Sequence, residues 1–167
     1  MAILTNYESG GSYDNLGSNQ REAQGFKVPS DSTCTSISFK LSKGSTSTGT
    51  TIAIAIYSGT ENGTLVTTEN FSYSLLQAYD GSTTSWTEFV FTTPVALTAG
   101  TQYFARLTIT GSGSDEIRRS LDPAGTYPDG TIWFNGSQNT NYDMLFRVSG
   151  SVGSAAPTSN FLMLGVG

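Results

Sequence analysis

The sequence predicts an all-β domain, an antiparallel two-sheet jelly-roll sandwich of about eight strands, and three observations lead there. Apolar side chains recur at every second position in run after run, the spacing that places them on one face of a strand. Only 13% of the 167 residues are charged and 37% are hydrophobic, with Gly, Ser and Thr filling much of the rest, as expected of short strands joined by tight turns. No stretch of ten or more residues has a convincing helical pattern, so a parallel sheet with crossover helices is not available to it.

Residues 1–22 are rich in Gly, Ser and Asn, with Ile3, Leu4 and Tyr7 the only apolar cluster, and read as an arm or edge strand ahead of a domain spanning 23–150. Gly25 to Val28 is a short strand stopped by Pro29. Cys34 to Leu41 alternates, with Ile37, Phe39 and Leu41 on one face and Ser36, Ser38 and Lys40 on the other. After turn residues 43–50, Ile52, Ile54 and Ile56 alternate with Ala53 and Ala55, whose small size implies that the second face is also partly covered. Leu65 to Thr68 and Phe71 to Leu76 are weaker strands. Trp86 to Thr92 is a strong one with Phe89 and Phe91 inward, ended by Pro94, and Trp86 beside that pair is expected in the core.

A turn at Ala99-Gly100 leads in hairpin fashion into Tyr103, Ala105, Leu107 and Ile109. Ile117 to Leu121, Thr131 to Phe134 and Tyr142 to Val148 complete the set, separated by a Pro/Gly-rich loop at 122–130 and a polar loop ending at Asn141. Residues 151–167 form a flexible tail whose end, with Phe161, Leu162, Met163 and Leu164, is abruptly apolar. Such a run left exposed is an aggregation hazard, which points to burial against a neighbouring subunit or host scaffold, or else over its own domain.

The chemistry is defined mostly by what is missing. With no histidine, Ser-His-Asp and Cys-His catalysis and histidine metal sites are excluded. The single Cys34 lies in an alternating stretch and reads as a small buried hydrophobe. A net charge of −5 with no basic run leaves no grip on nucleic acid. No stretch approaches a membrane span, and Met1 to Gly10 shows no signal-peptide pattern, so synthesis and assembly in the cytoplasm are expected. No enzyme is expected. Glu88, Asp115, Glu116, Asp122, Asp129 and Asp143 could serve a glycosidase only if two of them faced one cleft. No cofactor is expected either; the alternative is a structural calcium on Asp14, Asp115, Asp122, Asp129 or Asp143, although no run resembles an EF-hand loop. Tyr127, Trp133, Asn135, Asn139 and Tyr142 cluster around neighbouring loops and could form a carbohydrate platform, while Trp133 and Tyr142 could equally be packing residues.

The ordered segments Ala23-Gln-Gly-Phe-Lys-Val-Pro29, Ile37-Ser-Phe-Lys-Leu41, Ile54-Ala-Ile-Tyr57, Trp86-Thr-Glu-Phe-Val-Phe91, Pro94-Val-Ala-Leu-Thr-Ala-Gly-Thr-Gln-Tyr103 and Tyr142-Asp-Met-Leu-Phe-Arg-Val148 resemble the jelly-roll sandwich domain of bacteriophage virion proteins and bacterial surface proteins, itself similar to carbohydrate-binding modules. The resemblance covers roughly residues 20–150. It implies a small virion structural protein, a capsid decoration or cement protein, that binds other virion proteins and forms homo-oligomers, with a trimer as the example. Ile3, Leu4 and Phe161 to Leu164 would serve assembly. The alternatives it implies are a head-fibre or tail component, or a glycan-binding module. No catalytic residues carry over from it.

Overall fold

The computed structural model describes residues 2–17, 20–44, 51–80, 84–110 and 116–153. Among them the strands are β1 (Ala2–Tyr7), β2 (Ser12–Gly17), β3 (Arg21–Phe26), β4 (Ser32–Lys43), β5 (Thr51–Ser58), β6 (Thr64–Ser72), β7 (Ser85–Leu97), β8 (Tyr103–Thr110), β9 (Glu116–Asp122), β10 (Ile132–Phe134), β11 (Ser137–Asn139), β12 (Asp143–Met144) and β13 (Phe146–Val152). A single 3-10 turn at Tyr73–Leu75 is the only helical element among the described residues, and no helix is long and apolar enough to cross a membrane.

Eight of these strands have the connectivity of a jelly roll. One sheet runs β1-β13-β4-β7 and the other β3-β8-β5-β6, all antiparallel. The chain changes sheet at nearly every connection, and only β5 and β6 are consecutive members of the eight that pair with each other. The remaining five strands are additions: β2 pairs with β9, β9 with β12 and with the end of β4, and the β10-β11 hairpin extends the second sheet beyond β3.

Alternation explains the core. Phe146 lies opposite Phe39, and Ile37 lies between Val148 and Phe89, so inward side chains form rows across the first sheet. In the facing sheet Ile52, Ile54 and Ile56 lie opposite Ile109, Leu107 and Ala105. Phe26, Phe39, Phe89 and Phe146 are fully buried, each contributing about 1.5–3 kcal/mol by leaving water. Cys34 is buried with them, which pushes its thiol up to about 12 and leaves it inert.

Several expectations change. Of the two readings of residues 1–22, edge strand holds for β1, which lies at the edge of the first sheet, and arm does not; β2 belongs to the added ladder, and Leu4 and Leu16 join the core. Each of these strands fully buries one large side chain, too little to register as alternation. Pro94 does not end its strand. Val90 faces Ser36 and Val95 faces Cys34, so residues 91–94 bulge opposite Thr35 on an edge strand, where the missing N–H of proline does no harm. The turn at Ala99-Gly100 forms, with Gly100 at φ 70°, but it carries the chain from β7 in one sheet to β8 in the other and is not a hairpin. Leu65 to Thr68 and Phe71 belong to one continuous strand, β6. Trp86 is on the outer face of β7, half-buried, with the Arg147 guanidinium 4.0 Å above its ring, and is not core.

Candidate functional site

The added strands open one end of the sandwich. On the β2-β9 ladder, Leu16 lies opposite Ile117, Asp14 opposite Arg119 and Ser12 opposite Leu121; with a period of two, all six share one face. Leu16 and Ile117 are fully buried and continue the core, so the Asp14-Arg119 pair is the first polar step outward from it. The β3-β10 ladder supplies the other wall, with Glu22 opposite Phe134 and Gln24 opposite Ile132.

Arg119 joins the walls. Its Nε contacts Glu22 Oε2, its Nη2 donates to Asp14 Oδ2 at 3.1 Å, and its guanidinium carbon lies 5.6 Å from the Phe134 ring centre. Glu22 and Arg119 are both buried, whereas the Asp14 carboxylate is largely in water. Burial raises the Glu22 carboxyl to about 7, against the opposing pull of Arg119's charge and hydrogen bond. Arg119 Nη1 has no hydrogen-bond partner among the described residues. Around this pair is a pocket of about 280 Å³ with apolar walls of Leu121, Ile132 and Phe134 and with Ser12, Tyr13, Asp14, Asn139 and Tyr142 completing its lining. Tyr13 and Tyr142 are half-exposed, and the alternation of β2 turns the Tyr13 side chain away from the face of Ser12 and Asp14.

The loop from Asp122 to Gly130 is held by two carboxylates. Asp122 accepts from the Tyr7 hydroxyl, from Thr126 Oγ1 at 3.0 Å and from the Ala124 amide at 3.0 Å; these bonds, that from Tyr7 foremost, hold its carboxyl below the usual range. Asp143, buried, accepts from Gln24 Nε2 at 3.1 Å and from the Tyr127 amide at 2.8 Å, and its carboxyl is raised by burial. Gln24 Oε1 in turn accepts from the Met144 amide at 2.7 Å, so one side chain ties the second sheet to β12. No group of three or more His, Cys, Asp or Glu suited to a metal ion occurs among the described residues. Glu88, on the outer face of β7, accepts from Ser36 Oγ at 2.6 Å.

The five residues read as a carbohydrate platform do not share a surface. Tyr127 is core, its ring centre 5.2 Å from Phe146 and 5.4 Å from Tyr7, with its hydroxyl 3.2 Å from Thr5 Oγ1. Trp133 points to the opposite face of β10 from Ile132 and Phe134, across from Ala23 and Gln138. Asn135, at φ 48°, and Gly136, at φ 86°, make the two-residue turn of the β10-β11 hairpin, and Asn135 Oδ1 accepts from the Arg21 amide at 3.0 Å. Only Asn139 and Tyr142 line the pocket. Of the residues assigned to assembly, Ile3 is exposed and Leu4 is in the core, while Phe161, Leu162, Met163 and Leu164 lie outside the described residues.

Glu22, Arg119, Tyr13 and Phe134 were not legible as a site from composition or motif. A signal did exist. Arg119 is in phase with Ile117 and Leu121, and Glu22 with Gln24 and Phe26, so two opposite charges occupy inward positions of two strands.

Fold and pocket together define a jelly-roll domain with one added, partly ionic recess. No family model and no curated protein matches the chain. Among solved structures, a chain of the infectious bursal disease virus Gx strain aligns at 15% identity and a TM-score of 0.25, covering 93% of this chain and 42% of that one. A chain of the infectious bursal disease virus VP2 subviral particle aligns at 14% identity and a TM-score of 0.23, covering 87% and 38%. The chain thus spans about two fifths of the length of these chains, and overlaps this loose do not define a shared fold.

Proposed function

We propose that this is a non-enzymatic virion structural protein, a capsid decoration protein that docks on the particle surface and oligomerises. The observation that carries the reading is the outer face of the β1-β13-β4-β7 sheet. There Ile3, Ser149, Ser36 and Val90 lie side by side across all four strands, with Ile3 and Val90 54% and 52% exposed and serines between them. Two uncovered aliphatic side chains on one sheet face, with Ser149 half-buried and Ser36 buried and donating to Glu88 between them, fit a shell protein's surface better than they fit water. The outer edge of β1 pairs with no strand among the described residues, which suits lateral contact between copies, whereas β6 and β7 meet through Thr92, whose amide and hydroxyl donate to Glu69. An inert thiol and carboxylates engaged in loop anchoring support binding over turnover.

The test combines gel filtration of the purified chain with co-sedimentation on virus particles. The expected results are an oligomer in solution, saturable attachment, and loss of attachment in Ile3→Lys/Val90→Lys with an unchanged circular-dichroism melt. A stable monomer whose attachment survives both lysines would overturn the reading.

A further inference from the structure

We propose that the seam where β3 meets the added strands β9 and β12 is a proton-operated latch, closed in acid and loosened as the solution approaches neutrality. Four buried side chains make it: Glu22 contacts Arg119 of β9, and Gln24 bridges Asp143 and the Met144 amide of β12. The next inward residue of β3, Phe26, packs instead on the Phe146 ring, so one strand passes from apolar to polar contact along its length. The recess of about 280 Å³ has Glu22 and Arg119 in its lining, which puts a route for water beside the polar part.

Both carboxyls of the seam sit where charge is costly. Glu22 has Leu107 and Phe134 as its neighbours on β8 and β10, and the charges that face it are Arg119 and, beyond it, Asp14 of β2. Burial outweighs the guanidinium's pull and raises this carboxyl to about 7. Asp143 stands opposite Asp122 on the β9-β12 ladder, and Asp122 is kept ionised by bonds from Tyr7, Thr126 and the Ala124 amide. Burial foremost raises the Asp143 carboxyl, against bonds from the Tyr127 amide and Gln24, and the Asp122 charge adds to it. The sequence has no histidine, so sensing near neutrality falls to displaced carboxyls such as these. Opening the seam hydrates them and lets them ionise. With exposed Glu22 titrating near the ordinary 4.5, the open fraction rises from that pH to about 7 and then levels off.

The Met144 and Tyr127 amides report on the latch, because their acceptors are the side chains of Gln24 and Asp143. Hydrogen exchange of the full chain is followed by NMR at about pH 5 and about pH 7.5, with intrinsic rates divided out, in water and in low urea. Both amides are expected to lose on the order of a hundredfold in protection at the higher pH, through a local opening that low urea does not speed. Amides of β5 and β8 should exchange only through urea-dependent global unfolding. In Glu22→Gln, which cannot ionise, the loss at Met144 should be at least tenfold smaller. That variant leaves the face of Ile3 and Val90 intact, so particle attachment reports separately on the docking reading. Reporter amides with the same urea dependence as β5 and β8, or a pH response that Glu22→Gln leaves unchanged, overturn the proposal.

Discussion

The eight-stranded core and the added strands at its open end use the same backbone pattern for opposite purposes. In the core, the inward positions from Ile37 to Leu41 of β4, Ile52 to Ile56 of β5 and Tyr103 to Ile109 of β8 are apolar, and the two sheets cohere there through burial. In the added region the inward positions run from Leu16 and Ile117 to Asp14, Arg119 and Glu22 within one residue pair, and the sheets are joined there by an ion pair. Alternation therefore states which way a side chain points, but only the residue identity states whether that direction leads to a core or to a recess.

The contrast can be broken most strongly in the core. Phe39→Ala, at a fully buried position between Val148's and Phe89's neighbours in the first sheet, should cost about 3–5 kcal/mol in denaturant unfolding. In the added region, Arg119→Met should cost about 3–5 kcal/mol by stranding the buried Glu22, whereas Arg119→Met with Glu22→Met should recover most of that loss. A double variant as unstable as the single one would show that the pair does not act as a unit. No such rescue exists for Phe39.

Glu22 also separates the regions by pH. Its folded carboxyl titrates near 7 and its unfolded one near the ordinary 4.5, so the folded state holds a proton that the unfolded state releases between them. Its contribution is thus fully present below pH 4.5 and declines as pH rises to about 7, by on the order of 3 kcal/mol. Thermal melts of Glu22→Gln should be flatter across that window than those of the parent, and equal slopes would refute the assignment. Asp122, held below its usual range, acts with the opposite sign: its contribution is present above the unfolded value and is lost as pH falls through the folded one.

Smaller effects sharpen the boundary. Gly130 passes directly against the Gly25 backbone, so a Cβ there would collide with the Gly25 carbonyl oxygen, and Gly130→Ala should cost about 1–3 kcal/mol by urea titration. Arg147→Ala removes an exposed pair with Glu8 and the cover over Trp86, and should change stability by no more than about 1 kcal/mol.

What the sequence made legible follows from these same terms. Ile37, Phe39 and Leu41, Ile52 to Ile56, and Tyr103 to Ile109 each announce a strand and its inner face, and the jelly roll follows from them. β1 was legible only as an arm or edge strand, from Ile3, Leu4 and Tyr7, and β2 stayed hidden because Leu16 has polar residues at its second neighbours. The β10-β11 hairpin was readable in Asn135-Gly136, a pair suited to two successive positive φ angles, yet so short a ladder looks like a loop without its partner β3. The pocket was not legible, because it depends on β3 meeting β9 from the opposite sheet, a contact across nearly a hundred residues that no local pattern encodes. Tyr142 and Asn139 entered the expected platform through nearness in sequence to Trp133, which turned out to point the other way.

The placement of β13 has a consequence for how the molecule is made. It fits between β1 and β4, so the opening strand of the sandwich has no partner until Phe146–Val152 has been synthesised. The same stretch continues from Asp143–Met144, which closes the ladder beside the recess through β9. Completion of the first sheet and of the pocket wall thus waits on one late segment, and such dependence on distant pairing favours slow acquisition of the native state, with β4 an open template in the meantime.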